Sequence, residues 1–361
     1  MDVKRYSRQI ILSGFGVEAQ DKLFNSRVLV VGAGGLGCPV LQYLTSAGIG
    51  QVGIVDFDQV EVTNLHRQIL FKEGDVGKFK SIAAKERLEE MNSEVKIVSF
   101  TEKITADNVS KIIDSYEIIV DCTDNFQIRY LLNDICTIKN LPLIYGAIYQ
   151  YEGQISVFNV EKEEMRTNYR DLFPNPPSPS EVPTCNQTGV LGTLTGIIGT
   201  IQAQEVIKII TGIGEPLVHK LMIFNILDYT TRIINFTKSE KNFTPKNEDE
   251  IKAIDYEHIC GVFTSVNEIE NLSRLKEVLS QKKSILVDVR NENELPKISG
   301  FDYKQIPLSV FKENIHILEE YDSIVFVCKT GLRSSRAVEI AEGKFPEKEI
   351  WHIRNGIETI F

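Results

Sequence analysis

Val28-Leu-Val-Val-Gly32-Ala-Gly34-Gly35-Leu-Gly37, then apolar residues at helical spacing (Val40, Leu41, Leu44, Ala47), then Val52-Gly-Ile-Val-Asp56-Phe-Asp58: this stretch decides the fold. A β-type run enters a Gly-x-Gly-x-x-Gly turn, a helix follows, and a second short strand ends in a carboxylate, which is a βαβ unit. Gly32 permits the tight turn, Gly34 lets a phosphate approach the backbone, and Gly37 lets helix and strand pack closely. Asp56 falls where a carboxylate accepts hydrogen bonds from ribose hydroxyls. The motif alone says nucleotide and leaves a nicotinamide dinucleotide and other nucleotides open.

Outward from that unit, strands and helices alternate. A helix is expected from the Val76-Gly-Lys-Phe-Lys80 segment to about Met91, strands at 95–100 and 117–122, helices at 105–114 and 126–139, and a further strand after Pro142. This is the pattern of a parallel sheet covered on both faces, with ligands at the carboxyl ends of the strands. Gly32–Gly37, Asp56–Arg67 and Asp124 all fall there. From 153 to 237 the pattern is β-rich around one helix, 191–211, with many small residues at its start. Five prolines between 174 and 183 make the segment ahead of it an extended loop. The fold class expected is α/β: a Rossmann-like domain with a mixed sheet over 1–237, a charged linker over 238–262, and a smaller α/β domain over 263–361. In the last, Val266–Leu279 reads as a helix, Ser284–Arg290 and Ser323–Cys328 as strands, and Ser335–Glu342 as a helix.

At 361 residues the chain is long enough for two cores, and its 42% hydrophobic and 25% charged content is that of a globular protein. The net charge of −10 argues against broad nucleic-acid affinity. No apolar run approaches the roughly 20 residues of a spanning helix, and the polar start Met-Asp-Val-Lys-Arg lacks a signal-peptide core. A cytoplasmic protein is expected, with no membrane and no nucleic-acid partner. The cysteines at 38, 122, 136, 185, 260 and 328 contain no Cys-x-x-Cys pair. They are neither a disulfide framework nor a zinc pattern, and Cys38, Cys122 and Cys136 read as buried structural thiols.

Arg8, Asp56, Asp58, Asn64, Arg67, Lys80 and Asp124 gather around the glycine turn. A dinucleotide's pyrophosphate is held by helix-terminal N–H groups and needs few cations. Two or three basic groups with an aspartate able to hold Mg²⁺ suit a triphosphate attacked at its α-phosphorus, with pyrophosphate leaving. Arg5-Tyr-Ser-Arg-Gln, Gly-Ala-Gly-Gly-Leu-Gly, Asp-Phe-Asp, Asn64-Leu-His-Arg-Gln, Val76-Gly-Lys-Phe-Lys80 and Cys122-Thr-Asp-Asn125, in this order over about 1–237, resemble the ThiF/MoeB/HesA family, bacterial relatives of the ubiquitin-activating enzymes.

The resemblance implies adenylation, by ATP and Mg²⁺, of the C-terminal glycine of a ubiquitin-like sulfur carrier ending in Gly-Gly, of the MoaD or ThiS type. It implies that Asp56 binds ribose beside Asp58, that Asn64, Arg67 and Lys80 contact phosphates, and that Asp124, next to Asn125, serves Mg²⁺ and the reacting phosphate. Gly32, Gly34, Gly35 and Gly37 would cradle the nucleotide. Arg8 would reach the ATP of a neighbouring subunit, which implies a homodimer. Cys185 matches a loop cysteine that some members join covalently to the carrier. The family usually holds zinc through two Cys-x-x-Cys pairs. Here Asn168 and Asp171 stand in the first region, and 244–252 has no cysteine, so no structural zinc is expected.

The second constellation is Cys328-Lys329-Thr330-Gly331-Leu332-Arg333-Ser334. A cysteine at a strand-to-helix turn faces backbone N–H groups and a helix dipole, which favour an anion on sulfur. Phosphate-ester hydrolysis and persulfide transfer both use such a cradle. The phosphatase signature wants arginine six positions after the cysteine, but residue 334 is serine and Arg333 is at five, and the shorter loop suits a persulfide. With Asp288-Val-Arg290 and Ile306-Pro-Leu308 this resembles a rhodanese domain, and the pair of domains resembles fused MoeB–rhodanese proteins. That implies sulfur transfer from a cysteine desulfurase or thiosulfate through Cys328 to form the carrier's thiocarboxylate, in molybdopterin or thiamine biosynthesis. The alternatives are a docking protein for a ubiquitin-like partner and, disfavoured by Arg67, Lys80 and Asp124, an NAD-dependent oxidoreductase.

Overall fold

Val28, Leu29, Val30 and Val31 are all buried in strand β1 (Arg27–Val31), because its two faces look into different cores. Val28 and Val30 join one apolar cluster and Leu29 and Val31 another. Side chains alternate along a strand, so one covered on both sides reads as an unbroken apolar run. The computed structural model describes residues 2–357 apart from 175–188, 240–241, 255, 257–266, 282, 330 and 354–355, and apart from the side chains of 332, 335 and 339. The chain divides into two compact units, Met1–Cys260 and Gly261–Phe361.

In the first unit the elements run α1 (Ser7–Ile10), α2 (Gly16–Asn25), β1, α3 (Gly37–Ala47), β2 (Gln51–Val55), α4 (Lys80–Met91), β3 (Lys96–Phe100), α5 (Val109–Ile113), β4 (Ile118–Asp121), α6 (Phe126–Lys139), β5 (Leu143–Tyr149), β6 (Glu152–Phe158), α7 (Tyr169–Leu172), α8 (Gly192–Thr211), β7 (Lys220–Asn225), β8 (Thr231–Asn235) and α9 (Glu248–Ala253). They build an eight-stranded sheet ordered β3-β2-β1-β4-β5-β6-β7-β8. It is parallel from β3 to β5 and antiparallel beyond, so the sheet is mixed, as expected. The α5 helix is shorter than the 105–114 run, because the Asn108 carboxamide accepts from the Thr105 amide and donates to the Lys103 carbonyl, local bonds that compete with helix.

The charged stretch 238–262, expected to be a linker, carries α9, capped by the Asn247 side chain. Ile251 and Tyr256 are buried in the first unit's core. These two side chains, with the partly buried Ile254 between them in sequence, dock it. Asp171, where a zinc ligand would stand, accepts from the amide of Asn168 at 2.7 Å, from that of Ser239 at 2.9 Å and from the Asn242 carboxamide at 2.8 Å. Next to it, Arg170 grips Asp134 with two bonds of 2.7 Å, and the Tyr256 hydroxyl donates to the same carboxylate at 2.8 Å. The turn after residue 167 and the carboxyl end of the unit are thus clipped together by hydrogen bonds.

The second unit runs β9 (Glu268–Ile269), α10 (Leu272–Leu279), β10 (Ser284–Asp288), β11 (Tyr303–Gln305), α11 (Phe311–Asn314), β12 (Ser323–Val327), α12 (Leu332–Lys344) and β13 (Glu349–Ile353). Its five strands are all parallel, ordered β11-β10-β12-β13-β9. The helix expected from 266 starts only at Leu272. Asn271 caps it, and Glu268–Ile269 instead add a strand to β13. The chain's single tryptophan, Trp351, lies on β13 with the Arg274 guanidinium 4.9 Å above its ring. Among the described residues no helix is long and apolar enough to cross a membrane.

Arg170→Ala leaves the Asp134 carboxylate buried without its ion partner and is expected to cost about 3–5 kcal/mol, read in urea unfolding followed by circular dichroism. Replacing both residues by apolar ones of similar volume is expected to recover most of that loss.

Candidate active site

After β3 the chain crosses back to place β4 on the other side of β1, and the crevice at the carboxyl ends of β1 and β4 is the switch point of the sheet. The glycine turn sits in it. Gly32 has φ of +97°, and a Cβ there would lie 2.7 Å from the Cys122 carbonyl oxygen. A Cβ on Gly37 would lie 1.9 Å from the Gly32 oxygen, so the start of α3 closes directly on the turn. Above Gly34 a Cβ would meet nothing nearer than the Gln68 side chain at 3.8 Å, which leaves its backbone open to a ligand. Gly35 abuts Thr195, and the small residues of α8 let that helix lie on the turn.

The Asp56 carboxylate, buried just past β2, accepts from the Ala33 amide at 2.7 Å and the Asp58 amide at 2.9 Å. Burial raises it above the ordinary carboxylate value, against the pull of Lys80 and of these two amides. Lys80, the first residue of α4, is buried, and its ammonium meets the half-exposed Asp58 at 2.9 Å. Asn64 is buried, and its side chain accepts from the Glu61 amide at 3.1 Å. Arg67 donates to the Thr63 carbonyl at 3.0 Å and lies 2.9 Å from His66 Nε2, so its own loop holds it. Asp124 is exposed with no partner among the described residues. Asn125 caps α6 by accepting from the Ile128 amide. Arg8 is exposed on α1, whose anchor is the buried Tyr6, held by Asn92 at 2.9 Å.

Two residues that sequence reasoning passed over brace the Asp124 loop. Asp121 accepts from the Thr123 amide and hydroxyl at 2.9 and 2.6 Å and from Arg129 Nε at 3.0 Å, and Arg129 returns a bond to the Thr123 carbonyl at 2.8 Å. The signal was an apolar strand ending in a carboxylate with arginine at the fourth residue of the next helix. Gln68 is the third, buried against the glycine turn.

In the second unit Cys328 directly follows β12 and is fully buried. The Gly331 amide donates to its sulfur at 3.2 Å, and the Ser334 hydroxyl lies 3.5 Å from it. Gly331 has φ of +91°, which opens the first turn of α12. Arg333 forms a two-bond pair with Glu294 at 2.5 and 2.7 Å and holds that carboxyl low, at about 2. Asp288 and Arg290 form a buried pair at 2.7 Å. Lys329 is exposed. Thr330, Cys185 and Cys260 lie outside the described residues, as does the side chain of Leu332.

A model described as the ThiF family matches residues 6–245. The chain belongs to the ThiF family. Relatives of this ThiF-family chain include the adenylyltransferase and sulfurtransferase MOCS3 of Caenorhabditis briggsae, 36% identical over 99% of this chain and 94% of that protein. The sulfur carrier protein adenylyltransferase of Thermus thermophilus is 42% identical over 72% of this chain and 97% of its own length. Among solved structures, E. coli MccB with ATP superposes with a TM-score of 0.58 at 27% identity, covering 66% of this chain and 72% of that one.

Cys38, Cys122 and Cys136 are buried, as expected of structural thiols. Burial pushes Cys38 up to about 12 and raises the other two as well. At pH 8 only about one Cys38 in ten thousand is thiolate. Brief iodoacetamide treatment of the folded protein, read by peptide mass, is expected to leave all three unmodified, whereas treatment in denaturant labels them.

Proposed function

We propose that this chain is an ATP-dependent adenylyltransferase and sulfurtransferase. It activates the C-terminal glycine of a ubiquitin-like sulfur carrier and converts it to a thiocarboxylate with sulfur carried on Cys328. The observation that carries the reading is the gathering of buried Lys80, Asp56 and unpartnered Asp124 at one sheet edge beside a glycine turn open at Gly34. A hydride-transfer site needs no such cation. In this reading residues 1–237 adenylate and 263–361 carry sulfur.

Asp56 would accept from the ribose hydroxyls with the lone pairs its two amide bonds leave free, and Asp58 would lie beside it. Lys80 is poised to leave Asp58 for phosphate oxygens, assisted by Arg67 and Asn64. The exposed Asp124 carboxylate fits a hard cation, and since the described residues include no cluster of three or more metal ligands, phosphate oxygens must complete the set for Mg²⁺. That ion neutralises phosphate charge when bound. The carrier's carboxylate oxygen attacks the α-phosphorus, the bond to pyrophosphate breaks, and an acyl-adenylate forms.

The outer sulfur of a Cys328 persulfide then attacks the carbonyl carbon and AMP leaves, joining carrier and enzyme through an acyl disulfide. Attack of the Cys185 thiolate on Cys328 Sγ would release the thiocarboxylate and leave a Cys185–Cys328 disulfide, which a cellular dithiol reduces. The sulfur enters from a cysteine desulfurase or thiosulfate. Exposed Arg8, beside exposed Ile11 and Leu12, supports a homodimer in which it reaches the partner's nucleotide. The free cysteines among the described residues support a cytoplasmic setting. The pathway, molybdopterin or thiamine, follows from which carrier is used.

With ATP, Mg²⁺ and a Gly-Gly carrier, pyrophosphate exchange is expected to fall about 10²–10³-fold in Lys80→Ala and Asp124→Ala. Cys328→Ala is expected to keep exchange and lose transfer of sulfur from thiosulfate to the carrier, weighed by mass spectrometry. Absence of adenylate with every carrier from the same genome sinks the proposal. The Asp171 and Arg170 bonds also support a first unit that needs no zinc, so elemental analysis is expected to find far less than one zinc per chain and a chelator to leave the unfolding midpoint unchanged.

A further inference from the structure

A sealed sulfur poses a problem of protons. Cys328 is fully buried, and before it takes sulfur from a donor its thiol must lose a proton to something. The neighbouring cations are engaged: Arg333 with Glu294 at the loop after β10, and Arg290 with Asp288, while Lys329 points its charge at the surface. Neither of these paired carboxylates is free to act as a base.

We propose that Ser334, His352 and Glu268 form a relay that removes the Cys328 proton, an inference that rests on the persulfide reading of Cys328. Strand register places its members. Phe326 of β12 pairs with His352 of β13, and His352 pairs with Glu268 of β9. Ser334 comes from the first turn of α12. Sγ of Cys328 lies 3.5 Å from Ser334 Oγ, Oγ lies 3.5 Å from His352 Nδ1, and Nε2 lies 3.5 Å from a Glu268 carboxylate oxygen. Ser334 and His352 are buried, whereas the Glu268 side chain is 19% exposed, so the line runs from the closed sulfur to water.

The chemistry follows from the order of the groups. The Glu268 carboxylate stands at ion-pair distance from Nε2 without a hydrogen bond to it, so it favours a positive charge on the ring, and Nδ1, which faces Ser334, is the acceptor in the relay. The Ser334 hydroxyl now donates to the Gly331 carbonyl at 2.9 Å. Separations of 3.5 Å leave that hydroxyl room to turn toward Nδ1, and such bonds tighten when a donor is bound. As the S–H bond breaks, its proton passes to Ser334 Oγ, the serine proton passes to Nδ1, and the electron pair stays on sulfur. Glu268 offsets the charge of the imidazolium, and the Gly331 amide faces the thiolate. The thiolate then attacks the sulfane sulfur of the donor, the new S–S bond forms, and the donor fragment, sulfite from thiosulfate, leaves with the electrons of the broken bond.

The test uses the full chain, thiosulfate as the probe, and the single-turnover rate at which the Cys328 peptide gains one sulfur atom. Ser334→Ala and His352→Asn are expected to slow loading about 10²-fold with the half-saturating thiosulfate concentration unchanged. Their rates should climb with pH where the wild type is flat, and Ser334→Thr should restore most of the loss. Variants that load like the wild type at every pH, beside a wild type that does load, overturn the relay alone. A wild type that takes no sulfur on Cys328 overturns the persulfide reading and the relay with it. Should His352→Asn fail to fold, the Ser334 pair decides: equal rates for alanine and threonine reject the relay.

Discussion

The Asp56 carboxylate, held between the ends of β1 and β2 by the amides of Ala33 and Asp58, is the constraint on which the carboxyl end of this sheet depends. Its bond to Ala33 fixes the glycine turn against the neighbouring strand, and its bond to Asp58 aims that carboxylate at Lys80. The lysine backbone amide in turn donates to the Asp58 carbonyl, so α4 starts where the ammonium is needed. Burial works against ionisation of Asp56, and the structure accepts that cost because the same desolvation strengthens every polar contact the carboxylate makes. On the far side of β1 the Asp121–Arg129 pair gives the Asp124 loop a comparable frame.

In the first unit Asp171 and the Arg170–Asp134–Tyr256 cluster tie the turn after residue 167 to Ser239, Asn242 and Tyr256 near the unit's carboxyl end. A metal staple brings a large binding energy at one point. A hydrogen-bonded clip spreads it over several groups, each of which must be fully satisfied to be worth its burial. The clip also explains why residues after 238, charged and poor in apolar side chains, nevertheless dock.

Much of this was legible in the sequence. The glycine motif, the strand-end carboxylates and the Cys328 loop lie within short segments whose chemistry is local, and their βαβ setting follows from hydrophobic period. What escaped were features set by contacts between distant segments. Nothing around Glu268 marks it as the strand partner of His352, so 266–279 reads as one helix. Asp121 and Arg129 look like ordinary polar residues until the fold buries them against each other. Within 238–262 the high charge masked Ile251 and Tyr256, since composition averages over a window and docking needs only two side chains.

The lone tryptophan stands on β13, next to His352 and beneath Arg274. Light absorbed beyond the tyrosine band is therefore emitted from one place only, inside the second unit. The chain comes with a built-in optical reporter for its second unit, while the first unit, lit by its tyrosines alone, stays dark to that excitation.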